Sequence, residues 1–241
     1  MHKTKNPTVN RREALGFLGA AGLAFVGGCA SPTSPSETST GSTGSGGGTN
    51  TTNCVVTPEE TAGPYPDRTG MLNNPAFFRR DVTEGRPGLP LALTITVVNT
   101  KTSCGPLADA AVEIWQCDAA GNYSEYGQSS GQTFLRGLQT TDSGGKVTFN
   151  TIYPGWYMGR ATHIHVEIYV NGRTVKTTQI AFPESISASV YRTGVYASKG
   201  LNTTTNASDN VFSDGVQDEM AALSGDATSG YTGAITIGVA I

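Results

Sequence analysis

The chain has 241 residues with 16 basic and 19 acidic side chains, which gives a net charge of −3. No block of basic residues follows the first thirty positions, so nucleic acid is not expected as a partner. Roughly 190 residues follow position 53, which is enough for one domain with a sizeable core.

Residues 1–29 are typical of an export signal. Arg11 and Arg12 precede a short apolar run at 18–26 that ends in small residues. The paired arginines favour the twin-arginine route, and the run is too short to favour a transmembrane anchor. The sequence VGGC resembles a lipoprotein box, so we expect cleavage before Cys29 and lipidation of that cysteine. The alternative is simple secretion with cleavage near Ala30.

Residues 30–53 consist almost wholly of Ser, Thr, Gly, Pro and Asn. Such a stretch cannot bury enough apolar surface to fold, so it predicts a flexible tether between the lipid and a folded domain at 54–241. Cleavage before Cys29 leaves 12 basic and 18 acidic residues, a net charge of −6. We expect contact with the membrane only through the lipid on Cys29.

Three cysteines remain after the lipidated one: Cys54, Cys104 and Cys117. Oxidising conditions outside the cell favour one disulfide. Cys104 and Cys117 are expected at opposite ends of one strand segment, too far apart to bridge. Cys54 is therefore expected to pair with one of the two, and the sequence leaves open which one.

Short segments alternate apolar and polar residues at a period of two, as β-strands do. These segments are residues 91–98 (LALTITVV), 111–115 (AVEIW), 146–150 (KVTFN), 163–170 (HIHVEIYV) and 173–182 (RTVKTTQIAF). With 31 glycines and 12 prolines between and around them, they predict an all-β fold: a β-sandwich core with long loops and little helix. The helix signals are weak and favour one short helix near residues 217–223.

An Asn-Gly pair at 171–172 predicts a two-residue turn between the last two segments. Without a bulge, this turn pairs Glu167 with Lys176 and His165 with Thr178. The first pair would be a cross-strand ion pair.

Two histidines, His163 and His165, lie at i and i+2 of one predicted strand and therefore point to the same face, opposite the apolar face that packs on the core. The third histidine, His2, lies in the segment that we expect to be removed. A metal bound by both imidazoles would therefore need other donors. Tyr123 and Tyr157, each in a turn, are the candidates.

Several motifs follow one another in a fixed order. They are residues 57–66 (TPEETAGPYP), 106–124 (PLADAAVEIWQCDAAGNYS), 153–157 (YPGWY), Arg160, 163–165 (HIH) and 178–179 (TQ). Across 54–241 their order and spacing resemble the intradiol ring-cleavage dioxygenases, and most closely the exported single-chain members. The resemblance implies a non-haem Fe(III) enzyme that uses O2 to cleave a catechol between its two hydroxylated carbons, giving muconate-type products.

The resemblance also implies a role for particular residues. Tyr123, Tyr157, His163 and His165 match the ligands of one ferric ion per chain, and Tyr157 matches the ligand that leaves when substrate binds. Arg160 matches an arginine that would stabilise negative charge on the substrate. The positions that match the substrate pocket are Pro64, Tyr65, Trp115 and Gln179.

The chemistry of these donors agrees with ferric iron. Phenolate is a hard anionic ligand that Fe(III) prefers. Free tyrosine has a pKa of about 10, so it ionises in such a site only because the cation favours the charged form. One conflict concerns Gln179, which the unbulged hairpin places on the face away from the histidines. A β-bulge between Lys176 and Gln179 would turn it back.

Two other functions fit parts of the sequence. The first is a 2-His-1-carboxylate Fe(II) oxygenase with Glu167 as the third ligand. On one straight strand, ligands at i, i+2 and i+4 spread over about 13 Å, which is too far to meet at one ion. The second is a lipid-anchored β-sandwich binding module, which would not need Arg160 and both tyrosines at these spacings. The chain shows no N-terminal helical region for pairing, so we expect a monomer.

Overall fold

The computed structural model describes residues 54–241. The predicted export signal at 1–29, its Cys29 and the predicted tether at 30–53 lie outside the described residues. Within the described part, no helix is long and apolar enough to cross a membrane.

The described residues form nine β-strands and one α-helix. In chain order these are β1 (Pro90–Asn99), β2 (Gly105–Pro106), β3 (Ala111–Trp115), β4 (Arg136–Thr140), β5 (Lys146–Ile152), β6 (His163–Val170), β7 (Arg173–Ala181), α1 (Glu184–Val190), β8 (Ala222–Asp226) and β9 (Gly230–Val239). Short 3-10 turns lie at Met71–Asn73, Pro75–Phe77, Thr100–Thr102, Gly127–Ser129, Gly194–Tyr196 and Asn206–Ser208.

The strands form two sheets. The five-stranded sheet has the order β2-β1-β9-β8, with β5 also paired to β1, and its β1–β9 pair is parallel. The four-stranded sheet has the order β4-β3-β6-β7 and is antiparallel throughout. The two sheets share one apolar core, so the predicted all-β sandwich is confirmed.

Period-two alternation builds this core from both sides. Leu93 and Ile95 of β1 belong to the same core cluster as Ile164 and Val166 of β6, and all four side chains are fully buried. Burial of each such side chain stabilises the fold by about 1.5–3 kcal/mol. Because the apolar side of β6 faces inward, the side with the histidines faces away from the core.

Four strands escaped the sequence prediction, namely β2, β4, β8 and β9. The last is rich in glycine, and Gly238 shows one reason. A Cβ at that position would lie 2.0 Å from the Val55 carbonyl oxygen. The close approach of this backbone requires glycine there, which weakens the β-branched signal of the strand.

The predicted position of the helix was wrong. The helix is α1, which begins after Pro183, whereas residues 217–223 form a turn and the start of β8. The backbone of Glu219 accepts a hydrogen bond from the amide of Ala181 at 2.9 Å. Together with the bond from the Ala221 amide to the Ala181 carbonyl, it holds the segment against the edge of β7 instead of in a helix.

The hairpin between β6 and β7 has its predicted turn but a different register. Val170 pairs with Arg173 and Tyr169 pairs with Thr174, but Ile168 then pairs with Lys176. One residue of β7 is therefore extra, which is a β-bulge. It lies closer to the turn than the predicted position between residues 176 and 179.

The bulge changes two cross-strand pairs. Glu167 lies opposite Thr177, so the predicted ion pair with Lys176 was wrong. Lys176 instead donates to a carboxylate oxygen of Glu59 at 2.9 Å. His165 lies opposite Gln179 rather than Thr178, so Gln179 shares the face of the histidines, as the family resemblance required.

A disulfide joins Cys54 to Cys104, with 5.5 Å between their Cα atoms. This is one of the two pairings that the sequence left open. Cys117 is free and buried, and burial raises the pKa of its thiol to about 12. A thiol held neutral in this way is unreactive at ordinary pH.

Candidate metal centre

The predicted imidazoles lie on the outer face of the four-stranded sheet. His165 pairs with Trp115 on β3 and with Gln179 on β7, so it is held in the middle of three strands. Its ring is fully buried and stacks parallel to the Trp115 indole, with 4.7 Å between the ring centroids. Trp115 therefore supports the His165 ring from one side.

The first tyrosine is presented by a tight turn after β3. Asp118 accepts hydrogen bonds from the amides of Ala120 and Asn122 at 3.0 and 2.9 Å. Gly121 has a φ of +88°, and a Cβ there would lie 2.4 Å from the Trp156 carbonyl oxygen. Glycine is thus required by both conformation and space, and the turn presents Tyr123 beside the segment that carries the second tyrosine.

The structure brings the four predicted ligands together. The Nε2 atoms of His163 and His165 are 3.1 Å apart, and the Tyr123 hydroxyl oxygen lies 3.4 Å from His163 Nε2. The Tyr157 ring has its centroid 5.7 Å from those of both Tyr123 and His163. Two imidazole nitrogens and two phenol groups therefore face one small volume.

Hydrogen bonding leaves a lone pair of His163 free for a ligand. Its Nδ1 lies 2.7 Å from the Ala161 carbonyl oxygen, which can only accept, so Nδ1 carries the proton and Nε2 carries the lone pair. Burial, reinforced by Arg160, lowers the pKa of His163 to about 3. Burial also lowers the pKa of His165 well below its usual value. Both rings are neutral, as metal ligands must be.

The phenols behave in the opposite way. Burial raises the pKa of Tyr123 well above its usual value. Burial also raises the pKa of Tyr157, while the nearby Arg160 guanidinium opposes that rise. Neither phenol would ionise without a stronger cation between them. Two neutral imidazoles and two phenols that ionise only beside a cation fit a hard trivalent ion such as Fe(III).

The segment that carries Gly63 and Tyr65, before β1, packs against His165 and Tyr123. Gly63 has a φ of +69°, and a Cβ there would lie 2.9 Å from Cε1 of His165, so only glycine fits against that ring. Tyr65 stacks on Tyr123 with centroids 4.5 Å apart. Pro64, between Gly63 and Tyr65 in the chain, is exposed. The roles of Pro64, Tyr65, Trp115 and Gln179 toward a substrate stay predictions.

Arg160 forms an ion pair and also faces the site. Its Nε donates to both carboxylate oxygens of Asp209 at 2.9 and 3.1 Å. Its Nη1 lies 3.5 Å from the Tyr157 hydroxyl oxygen, and its Nη2 donates to the side-chain oxygen of Gln179. The ion pair leaves Nη1 of the guanidinium directed at the Tyr157 hydroxyl and Nη2 directed at Gln179.

Sequence reasoning missed Asp209. This residue is 2% exposed, and it also accepts a hydrogen bond from the Ala161 amide at 2.7 Å. It therefore fixes the side chain of Arg160 and the backbone that follows it. The interaction joins residues 49 positions apart, in a loop with no periodic pattern, so no local signal pointed to it.

The competing carboxylate site is not assembled. In the described residues, His163, His165 and Glu167 do not bring three donor atoms within 4.8 Å of one another. The Glu167 carboxylate accepts a hydrogen bond from the Thr174 hydroxyl at 2.7 Å instead. Strand geometry separates the third ligand from the histidines, as expected.

A polar cavity of about 570 Å³ adjoins the candidate metal centre through Tyr65 and Tyr123. The other lining residues are Arg86, Gly121, Asn122, Tyr126, Gly127, Gln128, Ser129 and Gln132.

The dioxygenase family profile matches residues 62–211, the part of the chain that contains the four donors and Arg160. An intradiol ring-cleavage dioxygenase from Tetranychus urticae has a similar structure, with a TM-score of 0.70 and 29% identity over 78% of this chain and 95% of that chain. The chain belongs to the intradiol ring-cleavage dioxygenase family.

Other family members differ in how much of them the chain matches. The dioxygenase domain of a dioxygenase–carbohydrate-binding fusion from Streptomyces sp. SirexAA-E has a TM-score of 0.58 and 28% identity, over 78% of this chain and 99% of that one. A catechol 1,2-dioxygenase of Candida albicans is 35% identical over 100 residues, which are 34% of this chain and 33% of that protein. The chain thus spans about a third of the curated relatives that it matches.

Proposed function

We propose that residues 54–241 form an intradiol dioxygenase that opens catecholic rings between the two hydroxylated carbons with O2, giving muconate-type diacids. The convergence of two imidazole nitrogens and two phenols beside a guanidinium carries the proposal. Similarity to catechol 1,2-dioxygenases of Candida albicans and Acinetobacter lwoffii supports a catechol as substrate.

The metal that we propose is one non-haem Fe(III) per chain, held by Tyr123, Tyr157, His163 and His165. When bound, it would supply a Lewis acid that draws electron density from a coordinated catecholate and so prepares the ring for O2. The four donors offer two negative charges as phenolates, which suits a trivalent ion in a buried site.

Tyr157 is the residue best suited to accept a proton from the substrate. It is half-buried, whereas Tyr123 is 3% exposed, so Tyr157 has more room to move. A catechol hydroxyl that enters beside it can pass its proton to the phenolate oxygen, which becomes a neutral phenol. Nη1 of Arg160, 3.5 Å from that oxygen, loses this partner when the neutral phenol moves away and can then donate to the substrate.

Arg160 would stabilise the negative charge that develops on the substrate. A guanidinium carries a delocalised positive charge and donates through a planar set of N–H groups. Its ion pair with Asp209 holds it in one orientation before the substrate arrives, so little reorganisation is needed during the reaction. Gln179 accepts from Arg160 and donates to the Thr61 carbonyl at 2.7 Å, which fixes its own amide.

Oxygen uptake tests this function. Iron-loaded protein is mixed with catechol, protocatechuate and hydroxyquinol, and product spectra are recorded. We expect uptake of one O2 per ring and a muconate-type product with at least one of them. Absence of uptake with all three would overturn the proposal.

The optical spectrum supplies a second test. Phenolate bound to Fe(III) absorbs strongly in the visible range, so the loaded protein should be coloured, and Tyr157→Phe should weaken and shift the band. A colourless iron-loaded protein would contradict tyrosinate ligation. An unchanged band in Tyr157→Phe would exclude that residue as a ligand.

We also propose that the protein is exported and held at the outer face of the cell membrane by lipid on Cys29, and that it acts as a monomer. The signal-like sequence at 1–29 and the polar stretch at 30–53 support the location. Cys29→Ser should move the protein from the membrane fraction to the soluble fraction. Equal fractionation of variant and parent would contradict the anchor.

A further inference from the structure

Three carboxylates converge near the metal centre without contributing to it. Glu60, Asp214 and Glu219 each offer one oxygen, and these oxygens lie within 4.8 Å of one another. In the described part of the chain, none of the three forms a salt bridge with a lysine or arginine. The cluster therefore holds up to three negative charges without a direct cationic partner.

Among the three carboxylates, Glu219 provides the evidence for a bound ligand. It is fully buried, and its Oε1 accepts a hydrogen bond from the Thr178 hydroxyl at 2.9 Å. Its Oε2 is shielded from water and has no hydrogen-bond partner among the described residues. A buried carboxylate oxygen without a partner costs free energy, so native proteins rarely keep one unless it binds something.

We propose that Glu60, Asp214 and Glu219 bind a divalent cation, with Ca²⁺ preferred. All three donors are carboxylates, and hard ions prefer oxygen ligands, whereas zinc and copper prefer nitrogen or sulfur. Ca²⁺ accepts irregular geometry and six to eight ligands, while Mg²⁺ demands a near-ideal octahedron. Asp214 is exposed, so water can reach the ion and complete its coordination.

The pKa values of Glu60 and Glu219 are those expected of neighbouring carboxylates without a cation beside them. Burial, followed by the charge of Asp214, raises the pKa of Glu60 to about 7. Burial, with Glu60 and Asp214 adding to it, raises the pKa of Glu219 to about 8. A bound cation would favour the ionised form of each carboxylate and reverse both shifts.

This cation would brace the two segments that hold the substrate-side residues. Glu60 precedes Thr61, whose carbonyl oxygen accepts from Gln179. Asp214 lies five residues after Asp209, which holds Arg160. An ion between Glu60 and Asp214 would link these segments independently of the iron.

The binding test uses the iron-loaded protein after removal of Ca²⁺ with EGTA and dialysis. Titration calorimetry with CaCl2 should give one ion per chain. The melting temperature should rise by about 5–10 °C at a Ca²⁺ concentration 100-fold above Kd, because the ion binds only the folded chain. The visible iron band should stay constant, which separates this ion from the iron site.

Variants locate the site. Glu219→Gln and Asp214→Asn should each weaken Ca²⁺ binding at least 10-fold, and Asp218→Asn, an exposed carboxylate of the same loop, should not. Asp214→Asn changes an exposed side chain, so it keeps the test valid if Glu219→Gln fails to fold. The proposal is overturned if Ca²⁺, Mg²⁺ and Mn²⁺ all leave wild-type heat and melting temperature unchanged. Unchanged affinity in Asp214→Asn would also overturn it.

Discussion

The two sheets of the sandwich share one core but differ on their outer faces. On β1 and β9 of the five-stranded sheet, buried positions alternate with half-buried or exposed ones. On β6 of the four-stranded sheet, the first four residues are all buried, including both histidines. Loops cover this second outer face, so the same alternation that leaves Thr94 half-buried in one sheet encloses His165 in the other.

This difference separates a scaffold from a reactive surface. A polar side chain on the open face is hydrated, so its identity matters little to the fold. A polar side chain on the covered face must find a partner, because an unpaired buried polar group is costly. The covered face therefore gathers specific pairs such as Arg160 with Asp209 and Gln179 with Thr61.

The largest effect is expected from His165→Ala. The residues from 54 onward contain only His163 and His165, so no spare imidazole can replace a lost ligand. We expect loss of bound iron and a fall in kcat/KM of about 10³-fold or more. Iron analysis and oxygen uptake measure both. If His165→Ala retains iron at the wild-type level, His165 is not an iron ligand.

Asp209→Asn should have the next largest effect. Iron should remain, because Asp209 is not a ligand, but Arg160 loses its ion pair and its fixed orientation. We expect kcat/KM to fall about 10- to 100-fold, somewhat less than removal of a catalytic hydrogen-bond donor. Asp218→Asn is the matched control and should keep full activity. Equal rates in both variants would make Asp209 a structural residue only.

Glu113→Gln tests how much a buried carboxyl group on the covered face of the four-stranded sheet reduces the free energy of unfolding. Burial raises the pKa of Glu113 to about 8 from 4.5, despite a hydrogen bond from Tyr169 that opposes the shift. The folded protein therefore keeps a proton that the unfolded chain releases, and this contribution to stability is lost as pH rises from about 4.5 to 8.

The glutamine variant lacks this ionisation. It should be more stable than wild type at pH 8 by about 1–3 kcal/mol, and the difference should shrink toward pH 5. Urea unfolding at both pH values measures it, with exposed Asp218→Asn as control. A difference that does not depend on pH would show that Glu113 is ionised in the folded protein.

Thr94→Val should have the smallest effect. The Thr94 and Thr148 hydroxyls lie 3.0 Å apart on neighbouring strands of the open face. We expect a change of less than about 1 kcal/mol in the free energy of unfolding and no change in iron content. Loss of iron in this variant would show that the open face of the five-stranded sheet also affects the metal site.

Local patterns predicted much of the fold. β3 and β6 have their predicted bounds, and β1, β5 and β7 differ by one or two residues, because each alternates clearly between core and outer face. β9 was missed because its three glycines weaken the β-branched signal, although its burial does alternate. The bulge in β7 was needed to orient Gln179, but its position depends on the pairing with β6 and is not written in β7 alone.

The two histidines were predictable for a similar reason, because His163 and His165 lie two residues apart on one strand. Tyr123 and Tyr157 were assigned as ligands through the family resemblance. Asp209 was not predictable, because its relation to Arg160 exists only once the loop after α1 folds back over β6. Residues that act through long-range contacts leave no periodic trace in the sequence.

The disulfide between Cys54 and Cys104 has a mechanical consequence. The chain before Cys54 is covalently joined at this point to the loop between β1 and β2. Tension from the preceding residues therefore passes through the sulfur bridge into the five-stranded sheet. The bridge thus gives this tension a path into the sheet that bypasses the segment with Gly63 and Tyr65, which packs beside His165.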